Sequence, residues 1–334
     1  MTELTAAVIG LGSMGANHAR VLADLPGVRL VGVCDADPAR AESIGLRYGT
    51  PAFTDLERLL ATSPDLVSVV VPTGLHEAVA CAALAAGASV LVEKPIAGDM
   101  PSARRIAAAV RPPAILTVGH IERFNPAVRE LKQRLDEGQG GAVLQLQARR
   151  VGPFPHRIRD VGVIHDLAPH DIDIMRYLLG DEVGRVYADA RGHINTDNED
   201  LFVGLLHFER GALGVLDINW LTPTKQRSLT ALCERGMFVV DYAAQSLTFY
   251  ENYAAVAREG AIASVTEGPM TRYPIAFVEP LRLELEAFRD AVLAGGPAPV
   301  SAEDGIAALA VSEALVQSAA QGRPVPVASH VAGR

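Results

Sequence analysis

The chain has 334 residues, which is long for one hydrophobic core and predicts two domains. Its net charge of -9 argues against nucleic acid and anionic membrane surfaces as partners. The most apolar run, residues 78–92, is broken by glycine and serine and falls short of a membrane span. The three cysteines form no Cys-x-x-Cys pair, and the N-terminus runs straight into a strand. We therefore expect a cytoplasmic protein with reduced thiols and no signal peptide.

The first predicted strand, residues 6–9, runs into a glycine-rich turn followed by a helix. In a dinucleotide-binding turn the first glycine permits a tight bend, and the second lets backbone N–H groups approach a pyrophosphate. The third glycine lets the helix pack closely on the strand. The strand-to-helix context favours this interpretation over an ordinary glycine turn. The predicted cofactor contacts in the turn are Gly10, Gly12, Ser13, Met14 and Gly15.

A carboxylate closes the second predicted strand, residues 29–34. Asp35 stands twenty residues past Gly15, where it would accept hydrogen bonds from the adenosine ribose hydroxyls. It would repel a 2′-phosphate, so NAD is favoured as cofactor. Arg40 lies close enough along the chain to keep NADP as the lesser alternative.

Strands and helices continue to alternate to about residue 118, which predicts a parallel, doubly wound sheet. Residues 66–71 are almost all valine or leucine, as expected of a strand buried on both faces. Ligands of such sheets lie at the carboxyl ends of the strands. Two of these ends carry the residues that we expect near the nicotinamide, namely Pro72, Thr73, His76, Glu93 and Lys94.

Lys94 stands between Glu93 and Pro95 just past a predicted buried strand. One interpretation pairs its ammonium with Glu93 in an ordinary ion pair. In the other, the ammonium hydrogen-bonds a substrate oxygen and stabilises the alkoxide that forms before hydride leaves.

Two histidines and three aspartates stand among apolar residues in the stretch leading to Gly180. Pro169 is tolerated only in the first turn of a helix, so a helix should begin near it and stop at Gly180. Four residues apart on a helical turn, Asp166 and His170 would point the same way and could share a proton or a substrate hydroxyl. A helix cap at Asp166 and a buried structural His170 explain the same residues. The spacing matches no common metal site, so we expect no metal.

The second half of the chain predicts an antiparallel sheet, with polar residues on the link before it and on one extended segment. Arg123 and Asn125, in the link after the first domain, are candidate residues of a sugar-binding site. Equally, Asn125 could cap a helix and Arg123 could be a surface charge. Lys225 and Arg227 alternate on an extended segment, so both could reach one diphosphate; a solvated basic pair is the alternative. Short turns join the predicted strands, which are residues 185–190, 201–208, 212–221, 227–232, 237–242 and 246–250.

The order of the motifs resembles that of the glucose–fructose oxidoreductase/inositol dehydrogenase (Gfo/Idh/MocA) family over the whole chain. The motifs are Gly10-Leu11-Gly12-Ser13-Met14-Gly15, Pro72-Thr73-Gly74-Leu75-His76, Glu93-Lys94-Pro95 and Asp166-Leu167-Ala168-Pro169-His170. The resemblance implies an α/β protein with a Rossmann domain, a doubly wound parallel sheet, at residues 1–119. It implies a substrate-binding and oligomerisation α/β domain with a large, mostly antiparallel sheet at 120–334, whose last helix and tail pack back on the first domain. Thr73 departs from the asparagine of many members.

The same resemblance implies an NAD-dependent dehydrogenase that forms a homodimer or homotetramer. The family's catalytic lysine maps onto Lys94, and its paired aspartate and histidine map onto Asp166 and His170. We expect His170 to act as base, Asp166 to orient it or the substrate, and Lys94 to steady the alkoxide, although Lys94 and His170 could exchange roles.

Two further stretches are similar to one branch of the family. They read Glu122-Arg123-Phe124-Asn125-Pro126 and Asn219-Trp220-Leu221-Thr222-Pro223-Thr224-Lys225-Gln226-Arg227. That branch oxidises the 3-hydroxyl of UDP-N-acetylglucosamine or a related nucleotide sugar, which makes Arg123, Asn125, Lys225 and Arg227 candidate substrate contacts. The alternatives are an inositol or simple-sugar dehydrogenase and a non-catalytic, NAD-bound regulator. The intact set of proton-transfer residues argues against a regulator.

Overall fold

A computed structural model of the chain describes residues 3–155, 162–194, 198–254 and 265–328. Contacts divide these residues into two compact units. One unit runs to Ile121 and includes Glu279–Leu309; the other comprises Glu122–Val278 and the described chain from Ala310 onwards. The boundary at residue 119 between two domains stays a prediction. Within the described ranges no helix is long and apolar enough to cross a membrane.

The first unit contains a six-stranded parallel sheet, which confirms the predicted Rossmann domain. Its strands are β1 (Leu4–Ile9), β2 (Val28–Cys34), β3 (Ala52–Phe53), β4 (Leu66–Val69), β5 (Ser89–Glu93) and β6 (Leu116–Gly119). Their order is β3-β2-β1-β4-β5-β6 and every pairing is parallel. The order reverses between β1 and β4, so ligands are expected beyond the carboxyl ends of the strands there. Every residue of β4 and β5 is buried, as a sheet covered on both faces requires.

Local signals begin and end the helices between these strands. The helices are α1 (Ser13–Asp24), α2 (Pro38–Tyr48), α3 (Leu56–Leu60), α4 (His76–Ala85) and α5 (Met100–Ala109). Helix α2 shows the pattern: the Asp37 carboxylate accepts from the N–H groups of Ala39 and Arg40, and Gly49 ends the helix with a φ of 63°.

The second unit is built on a nine-stranded sheet. Helix α6 (Pro126–Asp136) precedes it. The elements that follow along the chain, of which α9 and the start of α10 belong to the first unit, are β7 (Val143–Pro153), α7 (Val163–Asp166), α8 (Ala168–Leu179), β8 (Val183–Arg191), β9 (Leu201–Phe208), β10 (Leu213–Asn219), β11 (Leu221–Cys233), β12 (Gly236–Asp241), β13 (Ser246–Ala254), β14 (Val265–Arg272), α9 (Pro280–Ala294), α10 (Ala302–Gln321) and β15 (Val325–Pro326). The strand order is β14-β13-β12-β11-β7-β10-β9-β8-β15.

The pairing within this sheet is antiparallel except between β7 and β10, which confirms the predicted mostly antiparallel sheet. Helix α8 packs on one face of the sheet, where a Cβ added to Gly214 would lie 3.0 Å from the Met175 sulfur. The other face is open as far as the described residues go, with Tyr187 and Leu205 paired across β8 and β9 and each more than one third exposed.

One predicted strand, residues 212–221, is wrong at its end. Strand β10 stops at Asn219, whose side-chain oxygen accepts from the N–H groups of Leu221 and Thr222 and from the Thr222 hydroxyl, at 2.8–3.0 Å. These hydrogen bonds turn the chain around the end of β7, and β11 begins at once. The sequence prediction also missed β14 altogether.

Helix α9 belongs to the first unit although it follows the second sheet in sequence. Leu281, Leu285 and Phe288 lie one helical turn apart and share a buried cluster with residues of α1 and β1, including Leu22. An Arg282–Asp24 hydrogen bond of 2.7 Å flanks this contact. The core of the Rossmann unit is therefore completed by residues more than 250 positions away in the sequence.

Candidate cofactor and substrate sites

The glycine turn has the geometry that its spacing predicts. Gly10 has a φ of 87°, and a Cβ there would lie 2.5 Å from the Val70 carbonyl oxygen. A Cβ at Gly15 would lie 1.8 Å from the Gly10 oxygen, so neither position admits a side chain. A Cβ at Gly12 would meet nothing within 4 Å in the described chain, and no described side chain caps α1. The first N–H groups of α1, next to the exposed Ser13 and Met14, are thus available to phosphate oxygens.

Asp35 is placed at the end of β2 and ties this turn together. Its carboxylate accepts from the N–H of Leu11 at 2.7 Å and of Asp37 at 2.9 Å. Arg40 approaches it to 3.3 Å. Burial by itself raises the pKa of Asp35, but these two N–H groups and the Arg40 charge hold the pKa below its usual value. Asp35 is therefore ionised at neutral pH, as a ribose-binding carboxylate must be. The residues present fit a dinucleotide.

His76 is buried, and its contact with the cofactor stays a prediction. Its Nδ1 lies 2.9 Å from the Pro95 carbonyl oxygen and its Nε2 lies 3.0 Å from the Val71 carbonyl oxygen. The ring thereby joins the chain leaving β4 to the chain leaving β5. Burial lowers the pKa of His76, so the ring is neutral at pH 7 and donates one of these hydrogen bonds. Pro72 is exposed and Thr73 half-buried beside it, and their contact with nicotinamide stays a prediction.

Glu93 is also buried, with its carboxylate engaged inside the unit. One oxygen lies 3.1 Å from His18 Nε2, and the other accepts from the backbone N–H of Lys94 at 3.1 Å. Lys94 itself is half-buried. The sequence did not single out His18, although a histidine among the alanine, valine and leucine of the buried face of α1 is a recognisable signal.

The helix predicted at Pro169 is confirmed, since α8 begins at Ala168 and ends at Gly180 with a φ of 55°. Asp166 closes the short helix α7, and Leu167, with φ of -104° and ψ of -41°, links it to α8. The N-cap of α8 is Leu167, and no described side chain caps it, so the capping role considered for Asp166 is wrong. Asp166 lines a cavity of the second unit, and His170 lies half-buried in the first turn of α8.

A buried ion-pair cluster forms the floor of that cavity. Arg150 is 2% exposed and binds Asp171 through two hydrogen bonds of 2.7 and 3.0 Å. Its third nitrogen lies 3.1 Å from Glu122, and its guanidinium stacks 5.2 Å from the Tyr242 ring. Burial by itself lowers the pKa of Arg150, but Asp171 and Glu122 raise it overall, so the residue stays charged. The alternation of β7 puts Arg150 on the same face as Leu146 and Ala148, a signal of a paired charge that the sequence prediction did not use.

The cavity measures about 370 Å³ and lies wholly within the second unit. Aromatic residues form one part of the wall, with the Phe154 and Trp220 rings edge to face at 5.6 Å. Its other lining residues are Arg150, Val151, Gly152, Pro153, Pro155, Asp166, Leu167, Lys225 and Arg227. This volume is within the range of small-molecule sites, roughly 300–1,000 Å³.

Lys225 and Arg227 lie on the wall of this one cavity. Between Leu221 and Gln226 the register of β11 shifts against β7, which produces a bulge containing Lys225. Within the described residues neither cation forms an ion pair. The charge of Arg227 and then burial lower the pKa of Lys225, while burial and then the charge of Arg150 lower the pKa of Arg227. Lys225 is exposed and Arg227 half-buried, and an anion bound between them would relieve the repulsion of their charges.

The side chains of Arg123 and Asn125 form hydrogen bonds with other residues of the chain. Arg123 binds Asp173 through two hydrogen bonds of 2.7 and 2.6 Å and stacks on Tyr177. Asn125 caps α6 by accepting from the Ala127 N–H and donates to the Tyr242 carbonyl oxygen. Asn125 is therefore the cap considered from the sequence, and Arg123 is a paired rather than a solvated charge. Their contact with substrate stays a prediction.

A dinucleotide-binding Rossmann unit and a second unit with a polar, cation-lined cavity define a nicotinamide-dependent oxidoreductase. The model of an oxidoreductase family with an NAD-binding Rossmann fold matches residues 4–120, and the model of the GFO/IDH/MocA C-terminal domain matches residues 128–239. The chain belongs to the Gfo/Idh/MocA family of oxidoreductases.

Relatives that match along nearly the whole chain are named dehydrogenases of UDP-N-acetylglucosamine or of inositol. The UDP-N-acetylglucosamine 3-dehydrogenase of Acidithiobacillus ferrooxidans is 30% identical, over 95% of this chain and 96% of its own length. The inositol 2-dehydrogenase of Rhizobium meliloti is 29% identical, over 96% of this chain and 98% of its own. A solved structure of the Acidithiobacillus ferrooxidans enzyme matches with a TM-score of 0.85 at 29% identity, covering 95% of this chain and 98% of that one. The protein is accordingly an NAD-dependent dehydrogenase that acts on CH–OH groups.

Proposed function

We propose that the protein oxidises a secondary hydroxyl of a nucleotide sugar to a ketone, with the 3-hydroxyl of UDP-N-acetylglucosamine or a related sugar as substrate. The observation that carries this proposal is the cation pair on the cavity wall. The charge of Arg227 lowers the pKa of Lys225, burial and the charge of Arg150 lower the pKa of Arg227, and neither cation has an ion-pair partner among the described residues. A diphosphate would supply the missing negative charge through charge-assisted hydrogen bonds. A neutral cyclitol carries no negative charge that could pair with these two cations.

We assign the chemistry to Lys94, Asp166 and His170. NAD, when bound, supplies the acceptor for the hydride. His170 takes the hydroxyl proton, because an imidazole has an ordinary pKa of about 6.5 and is a neutral base at cellular pH. Asp166 orients His170 or the substrate. Lys94 stabilises the developing alkoxide with its ammonium group; a lysine can also serve as base, which keeps the exchange of these two roles open.

A second candidate is an inositol or simple-sugar dehydrogenase. The observation that favours it is the identity of 29% to the Rhizobium meliloti inositol 2-dehydrogenase, almost the same as that to the UDP-N-acetylglucosamine enzyme. The two candidates differ in one property that is easily measured, the need for a diphosphate on the substrate.

A thermal-shift screen with saturating NAD separates the candidates. UDP-N-acetylglucosamine, UDP alone, N-acetylglucosamine and myo-inositol would be compared at equal concentration. A ligand at 100 times its Kd adds about 2.7 kcal/mol to the free energy of unfolding, which raises Tm by several degrees. We expect both uridine compounds to raise Tm and NADH absorbance to grow only with UDP-N-acetylglucosamine. Turnover of myo-inositol with UDP-N-acetylglucosamine inert would refute the proposal in favour of the second candidate.

We further propose that the open face of the nine-stranded sheet joins subunits into a homodimer or homotetramer. Tyr187, Leu205, Leu213 and Leu232 share this face, and each is between 37% and 43% exposed. Burying such apolar surface stabilises association. Light scattering after size exclusion would give the mass, and a monomer in both the wild type and Leu205→Asp would refute the assignment. The cytoplasmic location stays a prediction.

A further inference from the structure

A buried carboxylate links helix α1 to the backbone of Lys94. His18 lies in the second turn of α1 and is 0% exposed. Its Nε2 lies 3.1 Å from one oxygen of Glu93, whose other oxygen accepts from the Lys94 N–H at 3.1 Å. The residue whose ammonium is assigned to the chemistry is thus two hydrogen bonds away from the helix whose N-terminus is placed for phosphate.

The charge state of Glu93 fixes the direction of these hydrogen bonds. Burial by itself raises the pKa of Glu93, but the hydrogen bond from His18 and the charge and N–H of Lys94 outweigh it and keep the pKa below its ordinary value. An ionised carboxylate can only accept, so His18 must carry its proton on Nε2 and donate it. His18 is therefore the hydrogen-bond donor and Glu93 the acceptor, and the two roles cannot be exchanged.

The chain on the other side of Lys94 is anchored independently. The Pro95 carbonyl oxygen lies 2.9 Å from His76 Nδ1. Behind Glu93 there is no spare room, since a Cβ added to Gly119 would lie 3.2 Å from the Glu93 Cα, Cδ and Oε2. Glu93 is thus confined between β6 and α1, and His18 is the contact that orients its carboxylate toward the Lys94 N–H.

We infer that His18 is a positioning residue for Lys94, acting through Glu93, and that it couples the placement of α1 to the placement of the lysine. The inference rests on the role proposed above for Lys94. A displacement of about 1 Å at a reacting group costs on the order of 100-fold in rate, so loss of the contact should lower kcat without touching a ligand directly.

A spectroscopic test needs no substrate. The sequence has lysine only at positions 94, 132 and 225. Reductive methylation with ¹³C-formaldehyde therefore gives few NMR signals, and Lys94→Arg identifies that of Lys94 by its loss. We expect His18→Leu to move the Lys94 signal and to leave those of Lys132 and Lys225 in place. His18→Gln, whose amide nitrogen can replace Nε2 as donor, should return the signal toward its wild-type position.

Kinetics with NAD and UDP-N-acetylglucosamine give the second readout. In His18→Leu kcat should fall about 10- to 100-fold while the Kd for NAD, from fluorescence titration, changes less than about threefold. His18→Gln should recover most of kcat. An unmoved Lys94 signal together with a kcat near wild type in His18→Leu overturns the inference.

Leu22→Ala is the matched control, because Leu22 is 1% exposed and lies one turn further along the same face of α1. It should lower Tm but leave the Lys94 signal and kcat unchanged. If Leu22→Ala reproduces the changes of His18→Leu, the cause is loosened packing of α1 and the inference fails. Should His18→Leu not fold, Gly119→Ala displaces Glu93 from the opposite side and should move the same signal.

Lys94→Met separates this inference from the proposed function. Wild-type turnover in Lys94→Met would overturn the role of Lys94, whereas the NMR comparison would still decide whether His18 places it. Loss of turnover in Lys94→Met with unchanged signals and turnover in His18→Leu would overturn only the positioning role.

Discussion

Replacement of Arg227 by alanine tests the proposed diphosphate site most directly. Arg227 is half-buried on the cavity wall, and within the described chain no carboxylate pairs with it. The substitution therefore removes a cation without breaking an ion pair of the described chain, so we expect it to affect ligand binding more than the free energy of unfolding. A charge-assisted hydrogen bond contributes about 1.5–3 kcal/mol, so KM for UDP-N-acetylglucosamine should rise roughly 10- to 100-fold. Because the proposed contact would be made both before and during the reaction, kcat should change little.

The assay is initial NADH formation at saturating NAD over a range of UDP-N-acetylglucosamine and of salt. Raising the ionic strength should increase KM of the wild type more than that of Arg227→Ala, since the lost term is electrostatic. Arg149→Ala is the matched control: Arg149 pairs with Asp217 at 3.1 Å and is 48% exposed. Its KM should stay within about twofold of the wild type, as for an exposed pair. An unchanged KM in Arg227→Ala would refute the diphosphate assignment.

The same variant has an effect on its neighbour that can be observed without substrate. The Arg227 charge, and then burial, lower the pKa of Lys225. Loss of that charge should therefore raise the pKa of Lys225, which a ¹³C NMR titration of the methylated lysine measures. A pKa that stays the same would mean that the two cations do not share one cavity.

Four further substitutions test other parts of the protein. Lys94→Met and His170→Ala should bind NAD as the wild type does and lose about 100-fold or more in kcat; near-normal kcat in both would place the proton transfer elsewhere. Asp35→Asn keeps an acceptor oxygen but removes the charge expected beside the ribose. It should lower the ratio of NAD affinity to NADP affinity in fluorescence titrations. Equal affinity of the wild type for both cofactors would refute this role. Arg150→Met leaves the buried carboxylates of Asp171 and Glu122 without their cation. Urea unfolding should therefore show a free energy of unfolding lower by about 3–5 kcal/mol. A decrease below about 1 kcal/mol would show that the cluster is not tightly buried.

The sequence predicted best those features that depend on a few adjacent residues. The glycine spacing specified a strand–turn–helix unit because φ of 87° at Gly10 and the 1.8 Å approach at Gly15 exclude any other residue type. Pro169 and Gly180 bounded α8 through their own backbone preferences. The valine-rich run of β4 reported burial on both faces. Each of these signals acts within one turn or strand, so the order of residues is enough to read it.

The roles of the polar side chains were predicted less well, because the partner of a charged or amide group depends on which groups lie near it in the folded structure. Arg123 pairs with Asp173, which is 50 residues away, and Asn125 reaches Tyr242 across 117 residues. Before folding, each is compatible with a ligand contact, a cap or a surface charge. Only the packing of α6 and α8 beside the sheet settles that these groups satisfy one another.

Amino-acid order thus determined that this chain forms a parallel dinucleotide-binding sheet, a second and mostly antiparallel sheet, and a carboxylate at the end of β2. Tertiary structure alone decided that Arg150 is neutralised by Asp171 and Glu122 while Lys225 and Arg227 are left facing a cavity. It also decided that Glu93 is engaged by His18, 75 residues earlier. The physical reason is that a buried charge must find a partner at hydrogen-bond distance, and which groups come within that distance depends on strand register and helix packing, not on neighbours along the chain.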